Sequence, residues 1–202
     1  MTRALLGMAV IALVLSLPQR ASAASTEGAQ GPGEVSENSV YQLDAPWTDD
    51  DGKSLRLRDL GGGVQVLTLI FTSCTGACPA TVKALQMFAR GAFAAGSDQP
   101  TFVLVSVDPE RDTVEALRRY RREMHLGTDG WKLLRGSDPE VRKLAAVLGF
   151  NYEQIDTGQF VHSSLVTVLN ARGEIVHQQN GVGSDFAALK DAVQRAAIED
   201  SQ

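Results

Sequence analysis

A structural metal cage of four protein ligands is hard to assemble from this chain, which holds only two cysteines and three histidines in 202 residues. Methionine is equally scarce. Of four, Met1 and Met8 lie at the extreme N-terminus, so there is no methionine-rich tract of the kind that gathers soft metal ions. Beyond residue 17 no stretch is long and apolar enough to span a membrane. A phosphate-cradling glycine loop, a nucleophilic serine elbow and a dinucleotide fingerprint are all missing. Positive charge is in deficit, with 19 Lys and Arg against 24 Asp and Glu, which argues against nucleic acid as a partner. No internal repeat is visible.

The N-terminus is what the absences leave standing. Met1-Thr2-Arg3 is a short basic start, and Ala4 to Leu17 is an apolar run of 14 residues, followed by Pro18 and Ala21-Ser22-Ala23. As a helix that run would rise about 21 Å, short of a hydrocarbon core of about 30 Å. Residues 1–23 therefore read as a secretory signal cleaved after Ala23, and the protein is expected to be exported to the periplasm. Cleavage would remove Arg3 and Arg20 and no acid, moving the net charge from −5 to −7. Residues 24–39 carry few large apolar side chains and read as a flexible leader. Residues 40–199 are one domain's worth of chain.

That domain alternates strand and helix signals. Val64–Phe71 and Phe102–Val107 are apolar and β-branched, as buried strands are. Between them Val82, Leu85 and Phe88 recur at helical spacing after Pro79, a residue suited to a first helical position. Val114, Leu117, Tyr120 and Met124 form a second helical stripe. Val141, Leu144, Ala145 and Leu148 form a third, opened by Ser137-Asp138-Pro139-Glu140 and stopped by Gly149. Leu165–Asn170 and Ile175–Gln178 predict a β-hairpin, and Phe186, Leu189 and Val193 a last amphipathic helix. This is the order of a thioredoxin-like α/β sandwich, a central mixed sheet flanked by helices with an N-terminal extension.

Both cysteines fall in one loop, Phe71-Thr72-Ser73-Cys74-Thr75-Gly76-Ala77-Cys78-Pro79, between the first strand and its helix. A helix start favours thiolate, so the loop is expected to depress a thiol pKa there. Thiolate is both nucleophile and soft-metal ligand, which leaves redox exchange, copper and zinc as candidate chemistries. Three residues separate the sulfurs, a spacing that permits a Cys74–Cys78 disulfide and also lets both sulfurs turn toward one external atom. A disulfide placed for stability is the poorest reading. Closing a loop of about five residues yields only about 2 kcal/mol in the chain-entropy model. Two soft thiolates with one imidazole suit Cu(I), which accepts a low coordination number; zinc is less well matched. Of the histidines, His125 stands at a helix end, where a cation is favoured, and His177 reads as an exposed strand residue. His162 precedes the strand that a thioredoxin-like topology sets beside the cysteine strand, so it reads either as a core histidine or as the third ligand. Asp112, three residues before Glu115, reads as an N-cap in a capping box, and Asp108 as a carboxylate satisfying loop N–H groups. Neither suits a soft ion. Arg118-Arg119-Tyr120-Arg121-Arg122 reads as a solvated helix face able to steer docking onto an acidic partner.

Three motifs in order carry a family resemblance: Phe71-Thr72-x-Cys74-x-x-x-Cys78-Pro79, Ser106-Val107-Asp108-Pro109-Glu110-Arg111-Asp112-Thr113, and His162-Ser163 leading a strand. Over roughly residues 40–199 the chain resembles the Sco/SenC family of thioredoxin-fold copper proteins. The resemblance implies that Cys74, Cys78 and His162 bind one copper ion, Cu(I) or Cu(II), and that Asp108 and Asp112 shape the copper loop or the partner surface. It further implies copper delivery to, or thiol reduction of, the CuA site in a cytochrome c oxidase subunit. A periplasmic thiol reductant or another copper chaperone is then an expected partner, because cysteines must be reduced to bind metal. Two features depart from the pattern: Thr75 stands where many relatives have proline, and the cleavage signal replaces the family's common membrane anchor. Metallochaperone and thiol-disulfide oxidoreductase use the same cysteines, and His162 separates them, since exchange does not need it. Thr75-Gly76-Ala77-Cys78 has a peroxiredoxin-like spacing, but Phe71 stands where a proline is expected there.

Overall fold

Three apolar runs build the parallel centre of the sheet, and the pairing of the chain's ends around it explains where the cysteine loop comes to lie. The computed structural model describes residues 35–93, 99–156, 159–181 and 186–200. The expected signal segment and most of the expected leader lie outside these. Among the described residues no helix is long and apolar enough to cross a membrane.

In chain order the elements are β1 (Trp47–Asp49), β2 (Ser54–Leu55), β3 (Gln65–Ile70), α1 (Ala77–Ala92), β4 (Thr101–Ser106), α2 (Val114–Glu123) and β5 (Trp131–Arg135). They continue with α3 (Asp138–Leu148), β6 (Tyr152–Asp156), β7 (Gln159–His162), β8 (Leu165–Leu169), β9 (Ile175–Asn180) and α4 (Ala187–Glu199). Seven strands form one sheet in the order β2-β1-β5-β4-β3-β8-β9, and β6 and β7 pair separately. β3, β4 and β5 run parallel, and β1, β8 and β9 join antiparallel. This is the expected thioredoxin-like mixed sheet flanked by helices.

Every residue of β3 is buried, as a strand covered on both faces requires. Its one hydroxyl, on Thr68, donates to the Leu165 carbonyl at 2.8 Å across the sheet. Helix α1 packs Phe88 edge-on against Phe102 of β4, with ring centroids 6.3 Å apart. Helix α3 ends at Gly149, left-handed at φ 67°, whose N–H returns to the last turn. The hairpin β8–β9 forms as expected.

Several elements differ from expectation. The strand β5 and the short hairpins β1–β2 and β6–β7 were not foreseen, because strands this short carry little periodic apolar signal. Helix α1 begins at Ala77, which puts Pro79 third rather than first. The residues closing the expected leader are packed: Ser36 and Ser39 are buried, and Val40 donates from its N–H to the Gly173 carbonyl at 2.9 Å.

Topology brings three segments to one end of the sheet. Because β3 and β4 are parallel, the segments that follow them, 71–76 and 107–113, leave from the same edge. Because β8 is antiparallel to β3, with Thr68 opposite Val166, the chain entering β8 at residues 162–164 arrives at that edge too.

Candidate metal centre

Residues 71–78 connect the end of β3 to the first turn of α1. The Cys74 N–H donates to the Phe71 carbonyl at 3.2 Å, closing a tight turn. Gly76 is the helix N-cap and offers no side chain; the Cys74 sulfur stands in, accepting the Cys78 N–H at 3.5 Å. A sulfur that accepts a helix-start N–H is held in place by the helix itself.

His162, at the end of β7, completes the group. Its Nε2 lies 3.4 Å from the Cys78 sulfur, and the ligand atoms of Cys74, Cys78 and His162 all lie within 4.8 Å of one another. Nδ1–H donates to the Ser163 carbonyl at 2.8 Å. A carbonyl only accepts, so Nδ1 carries a proton, and in the neutral ring Nε2 presents its lone pair toward the sulfurs. The ring is clamped by two phenylalanines: Phe150 stacks on it at 5.9 Å and 15°, and Phe71 meets it edge-on at 5.6 Å and 87°. The sequence offered a weak signal for this clamp, since Phe71 opens the cysteine loop and Phe150 stands just before the β6–β7 hairpin that carries His162.

The two sulfurs differ in environment. Cys74 is half-buried, whereas Cys78 is 1% exposed. Burial pushes the Cys78 thiol up from 9.0 to about 12, with a hydrogen bond from the Phe71 backbone opposing. The expectation that the helix start depresses a thiol pKa is thus reversed at Cys78. Removing the thiolate from water costs more than one helix N-terminus returns. Both cysteines are free thiols in this structure.

Asp112 and Asp108 depart from the local roles that their spacing predicts, although Asp112 does shape the cysteine loop as the family resemblance implies. The N-cap of α2 is Thr113, whose hydroxyl accepts the Ala116 N–H at 3.2 Å, so Asp112 is not the cap. Asp112 is buried at the base of the cysteine loop. It accepts from the Thr72 N–H at 3.1 Å, the Thr72 hydroxyl at 2.5 Å and the Ser106 hydroxyl at 2.5 Å. Burial raises its pKa, and those hydrogen bonds oppose the rise. Among the described residues the Asp108 carboxylate takes no loop N–H and pairs instead with Arg111 at 3.1 Å; its backbone carbonyl accepts the Asp112 N–H at 2.8 Å. Arg135, on β5, ties the same segment down through the carbonyls of Asp112 and Pro109 at 2.8 and 2.7 Å.

The other histidines stay apart. His125 follows α2 in a left-handed conformation, φ 53°, and its N–H donates to the Arg122 carbonyl. His177 is half-buried rather than exposed, and its Nε2 meets Gln179 Oε1 at 3.1 Å. A cleft of about 250 Å³ lined by Val107, Pro109, Glu110, Arg142, Tyr152 and Phe160 lies beside the centre and includes none of its three ligands. Cys74 and His162 are half-buried, so a second protein can reach the centre on their side, while Cys78 lies sealed behind them. Soft donors in this number hold a single low-coordinate soft ion, and the same two thiols can close on each other.

Comparison with known proteins agrees with this geometry. The family description SCO1/SenC matches residues 36–197. A mitochondrial SCO1 homolog 1 from Arabidopsis thaliana is 31% identical over 148 residues, 71% of this chain, and the chain spans 43% of that longer protein. The crystal structure of Arabidopsis thaliana ScoI with copper bound shares the fold at a TM-score of 0.67 and 26% identity, over 77% of this chain and 96% of that one. BsSco, described as a member of the Sco family of cytochrome c oxidase assembly proteins, has the same fold at a TM-score of 0.67 and 24% identity, over 76% of this chain and 91% of its own. With its folded region matched almost from end to end, and with two cysteines and a histidine converging where the sheet ends, this chain belongs to the SCO1/SenC family.

Proposed function

We propose that the protein is an exported metallochaperone that binds one copper ion through Cys74, Cys78 and His162 and delivers it to the CuA site of a cytochrome c oxidase. The observation that carries this reading is the convergence of two sulfurs and one imidazole nitrogen within 4.8 Å. Two thiolates and an imidazole favour Cu(I) over harder ions, and a set of three leaves the ion open to capture by an acceptor's own ligands. Support also comes from the copper-bound Arabidopsis ScoI and from the oxidase-assembly role given to BsSco. Export is supported by the signal-like character of residues 1–23.

The protein's residues set the terms of loading. The Cys78 thiol is protonated at neutral pH, so metal must displace its proton. The imidazole is already in the ligating tautomer and clamped between rings, so it adds little ordering cost. The two cysteines must be reduced first, which calls for an exported thiol reductant.

A second reading is supported by the unequal burial of the sulfurs. In thiol-disulfide exchange the half-exposed Cys74 attacks a target disulfide, forming a mixed disulfide and releasing one target thiol. Cys78, behind it, then attacks the Cys74 sulfur, releasing the second target thiol and leaving a Cys74–Cys78 disulfide. Two electrons pass from the cysteine pair to the target, which would suit reduction of acceptor cysteines before metal transfer.

Anaerobic titration of the reduced protein with Cu(I) tests the first reading: one equivalent should bind with sulfur and nitrogen ligation. His162→Ala should lower affinity sharply while disulfide reduction persists. Equal loss of both activities, or no binding at all, overturns it.

A further inference from the structure

Ser163 stands where the β6–β7 ladder stops, and its hydroxyl has taken the partner that a regular ladder would give its carbonyl. The register of the hairpin sets Tyr152 opposite His162, so the next pair outward is Asn151 with Ser163. Half of that pair is regular: the Ser163 N–H donates to the Asn151 carbonyl at 2.9 Å. In an antiparallel ladder such a pair exchanges both bonds, so the Asn151 N–H is expected on the Ser163 carbonyl. It goes instead to the Ser163 hydroxyl at 3.3 Å. The carbonyl accepts Nδ1–H of His162 at 2.8 Å.

The exchange bears on what the imidazole can do. Nε2 lies 3.4 Å from the Cys78 sulfur and can hold a metal ion only through a lone pair, which requires the proton of the neutral ring to sit on Nδ1. Either nitrogen of a neutral imidazole can carry that proton, and the partner of one nitrogen decides which does. Here the Ser163 carbonyl decides. The rings that clamp the imidazole, Phe150 at 5.9 Å and Phe71 at 5.6 Å, offer no lone pair to compete for Nδ1–H. A carbonyl engaged in a ladder points across to the partner strand, perpendicular to the chain, and not back toward the ring of the preceding residue.

We propose that Ser163 is a positioning residue of the metal centre: by occupying the Asn151 N–H, its hydroxyl frees its own carbonyl to hold His162 in the tautomer that can ligate. The inference deepens the copper-binding reading and rests on it for any effect on affinity, whereas the tautomer is set in the metal-free protein. Without the hydroxyl the Asn151 N–H lacks a partner, and the acceptor that the register sets opposite it is the Ser163 carbonyl. Nδ1–H then loses its acceptor, and the Nε2–H tautomer gains.

Ring-nitrogen NMR of the reduced, metal-free protein at about pH 8, where an imidazole is ordinarily neutral, reports the tautomer directly. Wild type should carry the proton on Nδ1, and Ser163→Ala should move His162 toward the Nε2–H form. Ser163→Thr keeps the acceptor oxygen and should match wild type. Competition with a chromogenic Cu(I) chelator should show Ser163→Ala weaker by about tenfold and Ser163→Thr unchanged. Lost packing alone would weaken binding without moving the ring proton. A ring proton that stays on Nδ1 in Ser163→Ala overturns the inference, and so does an Nε2–H ring in wild type. Should Ser163→Ala not fold, Ser163→Thr decides: agreement with wild type in tautomer and affinity supports the inference, and a departure overturns it. Failure of wild type to bind copper overturns the copper reading while the tautomer measurement still judges the role of Ser163.

Discussion

Asp112 grips Thr72 from forty positions away, accepting both its backbone N–H at 3.1 Å and its hydroxyl at 2.5 Å. Thr72 stands two residues before Cys74, so the placement of the first sulfur depends on a carboxylate that never touches it. Asp112→Asn replaces one acceptor oxygen with an NH₂ group that faces donors. Leaving buried donors unsatisfied costs about 1–3 kcal/mol. The variant should melt earlier and bind Cu(I) more weakly, as thermal unfolding and chelator competition would show. Unchanged copper affinity would mean the loop holds its shape without this anchor.

The buried thiol gives stability a sign with pH. Cys78 has a folded pKa of about 12 against 9.0 when free, so the fold is favoured while the thiol is protonated. That contribution is complete below the unfolded value and is lost as pH rises from 9.0 toward about 12, at up to about 1.4 kcal/mol per pH unit. Wild type in reductant should therefore lose stability more steeply above pH 9.0 than Cys78→Ala, as urea unfolding at a series of alkaline pH values would measure. By the same proton, apparent Cu(I) affinity should climb with pH.

The arginine run of α2 divides into two kinds of residue. Arg121 is largely buried and pairs with Asp50, its Nη2 at 2.8 Å, while also donating to the Trp131 carbonyl. Arg118, Arg119 and Arg122 are exposed. Arg121→Ala strands a buried carboxylate and should cost about 3–5 kcal/mol in denaturant unfolding. Arg118→Glu with Arg122→Glu should leave stability within about 0.5 kcal/mol. If this face steers docking, the double variant should instead slow association with an acidic acceptor domain at low salt. Association rates that match wild type would remove the steering role.

Gly173 closes the β8–β9 turn with φ 76°, and a Cβ there would come within 2.7 Å of the Ser39 hydroxyl and the Tyr41 ring. Gly173→Ala combines left-handed strain with a clash and should destabilise the fold by about 1–3 kcal/mol. Because the clash falls on residues 39–41, limited proteolysis should cut the N-terminal segment of the variant faster. An unaltered cleavage pattern would show that this segment is held by other contacts.

Legibility in the sequence followed burial. β3, β4 and the four helices announced themselves because their apolar residues recur at the period of a strand or helix facing a core, as Val82, Leu85 and Phe88 do. The strands β1, β2, β5, β6 and β7 did not, because strands this short are held largely by backbone hydrogen bonds that have no side-chain code. The N-cap of α2 shows a different limit. Asp112 and Thr113 are both competent caps by local chemistry. The cap goes to Thr113 because Ser106 and Thr72, remote in sequence, draw the Asp112 carboxylate inward.

By itself the sequence determined the chemistry available: two soft sulfurs three residues apart at a helix start, a few histidines, and the order of strands and helices around them. Spacing and periodicity are local properties, so they can be read without coordinates. Spacing left His162 open between core histidine and ligand, and the family resemblance alone named it; only the tertiary structure decided how it meets the sulfurs, through the antiparallel pairing of β8 with β3 across about a hundred residues. It also decided that the Cys78 thiol resists ionisation, since desolvation depends on everything packed around a group and not on its neighbours in the chain.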